Sequence, residues 1–366
     1  MVDGFPERRE IRKNKRSYMR KGNIWRLAIT VIMVLVTVLT FAAPVAAAKP
    51  GGQPDALNDT VVSAADYHLA KQGTYSGIPY TWPWVIGTTN GYWNVVGISA
   101  TGLLSAYEKT NNEAYLTGAV GTGNALKDRY ASVPATQRPY SQDIEFLVRL
   151  SQDSGDNSYA DVARQWYART TSQYTGAAYA DYYISVRKSL AGWDLASQIR
   201  AAVAVGEIDF ASDMVARIIE RRPDWEGVLY GGWDYTMSSY TSLLWALAEL
   251  DNSDFNCFKA EIRDIVINAQ NADGSWNGDY QDTAYAILGL TADGGASGPQ
   301  AKAWAFLRDT RTAGAGWSYP PEYGEINSEV ITALAGLDLK GLKAGYTDPN
   351  PNRGKDFGKH KLEPAL

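Results

Sequence analysis

Cysteine and histidine are almost missing from this sequence. Of 366 residues one is cysteine, Cys257, and two are histidine, His68 and His360. A single thiol excludes an internal disulfide, and two imidazoles exclude a His-rich metal site, so neither a metal nor a cofactor is expected. Cys257 falls in an amphipathic stretch and is expected as a small buried apolar side chain. Long stretches of alternating apolar and polar residues are also missing, which argues for helices throughout. Positive charge is scarce outside the N-terminus. Residues 1–48 hold nine of the 35 basic residues and three of the 40 acidic ones, so the remainder is near −11. Such a surface repels phosphate backbones, and no nucleic acid partner is expected.

The N-terminal 48 residues are unlike the rest. Basic residues from Arg8 to Arg26 precede an almost purely apolar run, 27–41, and an Ala-rich end closing on Ala46-Ala47-Ala48. That order is the pattern of a secretory signal peptide, with cleavage expected after Ala48 and an extracellular or cell-surface location. The run 27–48 is long enough to span a membrane, so an uncleaved anchor is the alternative and the one membrane contact expected. Pro44 and the small residues favour cleavage. Residues 49–57 read as a Pro/Gly linker and 348–366 as a polar tail, which leaves 58–347 as the folded domain.

Within that domain the pattern repeats. Apolar helical segments start near Trp93, Gln142, Trp193, Ser239, Gln281 and Asn327, at spacings of 42 to 51 residues. Each interval holds two helices. The first of each pair is apolar nearly all round (98–107, 195–205, 243–250, 284–290 and 330–337), which marks a buried inner helix. The second has a polar face (113–130, 158–174, 208–221, 256–271 and 299–310), which marks an outer one. The sixth inner helix has no outer partner after it. A helix over 58–72, capped by Asn58 or Asp59 and stopped at Gly73, supplies one from the N-terminal end. Twelve helices then close into an all-α toroid, an (α/α)6 barrel of six helical hairpins.

Gln270-Asn-Ala-Asp-Gly274-Ser-Trp276 resembles the Q-x-x-x-G-x-W repeat of squalene and hopene cyclases, and Asp282-Thr-Ala-Tyr-Ala-Ile-Leu-Gly-Leu follows it as the helix such a motif introduces. Gly231-Gly232-Trp233 and Gly314-Ala315-Gly316-Trp317 are weaker echoes. The resemblance is to the terpenoid cyclase/protein prenyltransferase superfamily, over roughly residues 225–337, and it implies an α/α toroid. In physical terms glycine permits the tight turn, tryptophan wedges against the next helix start and glutamine bonds freed backbone groups. The superfamily's catalytic signatures are absent: no Asp-x-Asp-Asp, no Asp-Asp-x-x-Asp, no Asp, Cys and His set for zinc and no Cys-Gly-Glu-Gln thioester. Its known chemistries therefore do not transfer.

The two sets of links differ in length. Inner-to-outer links are short and polar, whereas the outer-to-inner links (74–92, 131–141, 175–191, 223–238, 273–280 and 311–326) are long and lie on one face. Eight of the twelve tryptophans fall there or at adjacent helix starts: Trp82, Trp84, Trp93, Trp193, Trp225, Trp233, Trp276 and Trp317. With Tyr140 and Tyr183 they offer flat surfaces for sugar rings or other apolar ligands. Trp233, Trp276 and Trp317 stand in Gly-x-Trp turns and read first as wedges, with ligand contact the alternative; Trp82 and Trp84, in a loop with no repeat partner, read as ligand contacts. Asp143, Glu145, Asp194, Asp282 and Glu329 sit at the same end, where carboxylates cap helices or act as general acid and base. Asp143 or Glu145 against Asp282 or Glu329 is the catalytic pairing expected, with Asp194 in substrate binding and Arg138 and Arg187 on a carboxylated substrate. Three functions follow: an extracellular hydrolase or lyase acting on a glycan or another polymer; a non-catalytic surface protein binding a glycan or peptide; or, on resemblance alone, an isoprenoid cyclase or transferase.

Overall fold

A computed structural model describes residues 53–312, 314–317 and 321–338. The expected signal segment and the C-terminal tail lie outside the described residues. In chain order the elements are α1 (Gln53–Leu69), a hairpin of β1 (Gly73–Tyr75) and β2 (Ile78–Thr81), α2 (Val96–Thr110), α3 (Glu113–Ser132), α4 (Ser141–Ser154), α5 (Asn157–Thr171), α6 (Gly176–Arg187), α7 (Ala191–Val205), α8 (Ile208–Glu220), α9 (Thr236–Leu250), α10 (Asn256–Asn268), α11 (Tyr280–Ala292), α12 (Ser297–Thr310) and α13 (Gly324–Ala335).

The fold is an α/α toroid. Helices α2, α4, α7, α9, α11 and α13 pack in that order into an inner circle, and α13 closes it against α2. Helices α1, α3, α5, α8, α10 and α12 lie outside. Burial explains the sorting. Every residue of α2 from Val96 to Ala106 is buried, as a helix enclosed on all sides requires. Helix α8 buries one stripe, Phe210, Ala211, Met214, Val215 and Ile218, and turns the rest to solvent. The N-terminal helix packs against α13 and α2 and completes the outer circle. It begins at Gln53, inside the expected linker, rather than at Asn58.

Three of the five short links share one device. Asn111, Gly155 and Asp251 end α2, α4 and α9 in the left-handed region at φ 54°, 71° and 47°. The next residue in each case, Asn112, Asp156 or Asn252, accepts a backbone N–H two residues on at 2.9–3.1 Å and caps the helical turn that follows. Two residues therefore reverse the chain.

Buried side chains pin all six neighbouring pairs of inner helices. Gly97 N–H donates to Asp143 (3.0 Å), Trp193 N–H to Ser239 (3.0 Å) and Gly102 N–H to Ser328 (2.8 Å). Ser141 and Ser197 share a hydrogen bond (2.7 Å), Ser238 donates to Asp282 (2.6 Å) and Gln281 to Glu329 (2.8 Å). The Gly102–Ser328 contact joins the ends of the circle, and an added Cβ at Gly102 would lie 2.6 Å from Ser328 Oγ. A buried neutral hydrogen bond stabilises by about 1 kcal/mol, and more when its acceptor is charged.

The wedge role belongs to four tryptophans. Trp82, Trp225, Trp276 and Trp317 each donate the indole N–H to a carbonyl of the preceding outer helix: His68, Ile218, Val266 and Leu307, at 2.7–3.0 Å. In the best-matched repeat Gln270 donates to Gly274 O (2.9 Å) and to Pro299 O (2.8 Å), which ties the turn to the next outer helix. Gly274 takes φ 92° where an added Cβ would sit 2.3 Å from Lys302 O.

Three features differ from the sequence reading. Residues 175–191 contain helix α6, capped by Thr175. The first long link holds the β1–β2 hairpin, turned through Ser76 (φ 51°) and Gly77 (φ 78°) as a two-residue reversal with both central φ positive requires. Cys257 is exposed, not buried, because it falls on the outward side of α10, whose buried stripe is Phe258, Ile262 and Val266. Among the described residues no helix is long and apolar enough to cross a membrane.

Candidate functional site

The N-terminal ends of the inner helices surround a cavity of about 710 Å³. Its lining descends four of the six inner helices in steps of four: Asn94, just ahead of α2, and Ile98; Asp194 and Gln198; Gln281 and Tyr285; Glu325 and Glu329. That spacing puts both members on one helix face, one turn apart. The 131–140 link adds Arg138 and Tyr140. Helix α6 adds Tyr179, Tyr182, Tyr183, Val186 and Arg187, and the link from α8 to α9 adds Tyr230. Tyr182 and Val186 are exposed, so part of the apolar wall faces open solvent.

Three carboxylates line the cavity. Asp194 pairs with Arg187 (Nε–Oδ2 3.0 Å), and Arg187 also donates to the Tyr230 hydroxyl (2.9 Å). Glu329 is buried and accepts from Gln281 Nε2 (2.8 and 3.0 Å) and from the Tyr285 hydroxyl (3.1 Å). Glu325 lies one turn nearer the mouth and is less buried. Helices α7 and α13 are third and sixth in the inner circle, so Asp194 and the two glutamates stand on opposite walls. Trp193 packs on Tyr285 with ring centres 4.2 Å apart and connects the walls through apolar contact. Burial pushes the phenols of Tyr179, Tyr183 and Tyr285 upward, with Glu329 adding to the shift at Tyr285. These hydroxyls therefore stay protonated and act as donors near neutral pH.

The site residues named from sequence divide sharply. Glu329, Asp194, Arg138, Tyr140, Tyr183 and Trp193 meet in the cavity. Asp143 does not: it is fully buried against α2, holds Gly97 N–H and is pushed up to about 7 by burial. Asp282 is buried between Ser238 and Asn277 (2.6 and 2.8 Å) and pins α9 to α11. Glu145 faces the opposite half of the lumen, where it pairs bidentately with Arg200 (2.9 and 3.3 Å). Trp82 has no exposed surface and stacks on His68 at 4.5 Å, so the loop without a repeat partner carries a wedge, not a ligand contact. Trp84 is buried edge-on to Tyr92. Trp93 lies under the Arg129 guanidinium at 4.4 Å, and Trp276 and Trp317 are buried wedges. Trp233 packs behind the cavity wall with Leu190, Trp193 and Tyr235.

Asn94, Gln198 and Tyr285 escaped the sequence reading. The signal that finds them is the four-residue step inward from residues already assigned to the mouth. Among the described residues no group of three or more His, Cys, Asp or Glu side chains converges to hold a metal ion.

No family model matches the chain, and no curated protein matches it. Solved structures do. An inactive variant of the α-1,6-mannanase GH76A of Salegentibacter sp. HEL1_6, with two consecutive aspartates replaced and α-1,6-mannotriose bound, is similar at TM-score 0.57 and 11% identity, over 78% of this chain and 99% of that one. A polysaccharide lyase is similar at TM-score 0.53 and 13% identity, over 80% and 98%. A possible member of the GH105 family from Klebsiella pneumoniae subsp. pneumoniae MGH 78578 is similar at TM-score 0.52 and 10% identity, over 84% and 99%. At these identities the likeness establishes the toroid alone. The squalene-cyclase-like turn thus marks the architecture; these matches are glycan-acting toroids, not terpenoid cyclases.

Proposed function

We propose that the chain is exported and cleaves a glycan in the cavity at the N-terminal end of its inner helices. The observation that carries this reading is the placement of Asp194 opposite Glu325 and Glu329 across a cavity walled by tyrosines. Glycoside cleavage needs two carboxyl groups on opposite sides of the scissile bond, one donating a proton and one stabilising positive charge or activating water, at a separation that sets the stereochemical course. Glu329, positioned by donation from Gln281 and from the Tyr285 hydroxyl, suits the stabilising or activating role. Glu325, nearer the mouth, is assigned the proton donor. Asp194, ion-paired with Arg187, orients the sugar. Tyr182 and Tyr140 offer ring faces for stacking.

The similar structures supply analogy for a glycan ligand, not a mechanism. The mannanase's inactive variant lacks two consecutive aspartates, and no Asp-Asp pair occurs anywhere in this sequence, so its machinery is not copied here. Export rests on the N-terminal basic and apolar pattern. An isoprenoid cyclase or transferase would want a deep apolar chamber; this one holds three carboxylates, two guanidiniums and several amides. A non-catalytic glycan receptor is the second reading, favoured by the Arg187–Asp194 ion pair, which commits that acid to a structural partner.

The test is release of reducing ends, or of unsaturated products, from a polysaccharide panel by the secreted protein. Turnover lost on Glu329→Gln and Asp194→Asn supports cleavage. Binding without turnover on any polymer supports the receptor.

A further inference from the structure

The cavity holds two guanidiniums, and they are not equivalent. Arg187 is neutralised by Asp194 and bonded to Tyr230. Arg138 has no carboxylate or other hydrogen-bond partner among the described residues. Its guanidinium lies over the rings of Tyr174 and Tyr179, 5.1 and 5.7 Å from their centres. Those rings attract the charge and fix the plane but satisfy none of its N–H donors. The backbone beside it is anchored as well: Gln137 O accepts from Trp166 Nε1 (3.1 Å) and from Arg169 Nη1 (3.3 Å), and Pro139 follows. A rigid link thus presents an oriented, unneutralised fork to the cavity. Tyr179 in turn packs on Tyr183, ring centres 5.2 Å apart, which carries the same wall onward.

We infer that Arg138 selects glycans that carry a carboxylate, so that the substrate class is a uronic-acid polymer; this rests on the glycan reading of the cavity. A planar guanidinium with parallel N–H donors matches a carboxylate bidentately. The selection is built next to carboxylates that would repel an anion from the rest of the chamber. The uronate group is therefore directed to one position, beside α6 and away from Glu329. That fixes the register of the chain in the cleft. Lysine at this position would keep the charge and lose the fork.

The experiment presents polysaccharides as matched pairs, the native uronate polymer and the same polymer with its carboxyls reduced to alcohols, together with a sulfated neutral polymer. Glu329→Gln protein is used so that binding is read without cleavage. Retention of uronate forms over their reduced partners is expected. Adding Arg138→Gln should weaken uronate binding by about tenfold or more, as loss of one charge-assisted bidentate pair does, and leave reduced forms unchanged. Arg138→Lys should recover only part, with an unchanged melting temperature excluding a folding defect. Equal retention of both members of each pair, equal weakening of both by Arg138→Gln, or retention of no uronate polymer overturns the proposal. Retention of the sulfated polymer alone overturns the carboxylate assignment. Uronate-selective binding by the wild-type protein with no turnover leaves it standing and removes the cleavage reading instead.

Discussion

The toroid's lumen has two halves, and they handle charge differently. The upper half, at the helix N-termini, holds Glu329 through Gln281 and Tyr285 and sets Arg138 over tyrosine rings rather than against a carboxylate. The lower half, a cavity of about 600 Å³, pairs its charges internally. Arg200 binds Glu145 and stacks on Trp245 at 3.8 Å, Arg149 binds Glu108 at 2.8 Å, and Lys109 donates to Leu337 O at 3.0 Å. Helix ends explain part of the contrast. Six N-termini present positive partial charge to the upper cavity and favour carboxylates there, while C-termini favour the cations that gather below. Ile98 and Gln142 line both halves and mark the boundary. One end is thus arranged to meet a ligand, while the other pairs its charges among themselves.

Substitutions that exchange activity for stability sharpen this contrast. Glu329→Gln should lower turnover by roughly 100-fold or more, the usual contribution of a positioned carboxyl group, with a melting temperature near wild type. Steady-state rates on the responsive polymer check it, and a fall below tenfold would move Glu329 out of the chemistry. Trp276→Ala should do the reverse and cost about 3–5 kcal/mol of stability, as removal of a buried indole does. Denaturant unfolding measures that. Glu145→Gln leaves Arg200 charged and buried, so a loss of about 3 kcal/mol is expected with turnover preserved in the fraction that folds. Loss of activity without loss of stability there would erase the distinction between the two ends. Tyr182→Ala, on an exposed wall, should weaken glycan binding by about tenfold with stability within about 0.5 kcal/mol of wild type.

A last effect is one of pH. Burial raises Asp143 from 3.8 to about 7, so between those values the native protein retains a proton that the unfolded chain has released. Its contribution to stability is then fully present below pH 4 and declines as pH rises toward 7. Asp143→Asn should flatten that decline when unfolding midpoints are compared across the window. An unchanged slope would show Asp143 to be ionised in the native state.

Much of the architecture was legible because helix burial and repeat length are written into local pattern. Spacings of 42 to 51 residues and the Gln270–Trp276 turn are enough to place inner and outer helices, and the missing twelfth helix points to the N-terminus. The site was legible only in part. Trp82, Trp276 and Tyr182 all fall in long links, yet what separates a wedge from a ligand surface is whether the indole N–H finds a carbonyl in the preceding helix, which only the folded geometry shows. Asp143 and Glu329 both lie near an inner-helix start. The rotation of each helix decides that one turns to its neighbour and the other to the lumen. Helix α6 hid in its tyrosines, Tyr179, Tyr182 and Tyr183, which read as loop aromatics but stand on consecutive helical turns.

A crystal structure of the Glu329→Gln protein with a bound oligosaccharide tests the central claim most directly. The account predicts sugar in the upper cavity, between Asp194 and Glu325 and against Tyr182, with the lower cavity's Arg200–Glu145 pair undisturbed. Sugar seated instead around Trp245 and Glu249, or on the outer helices, would contradict it.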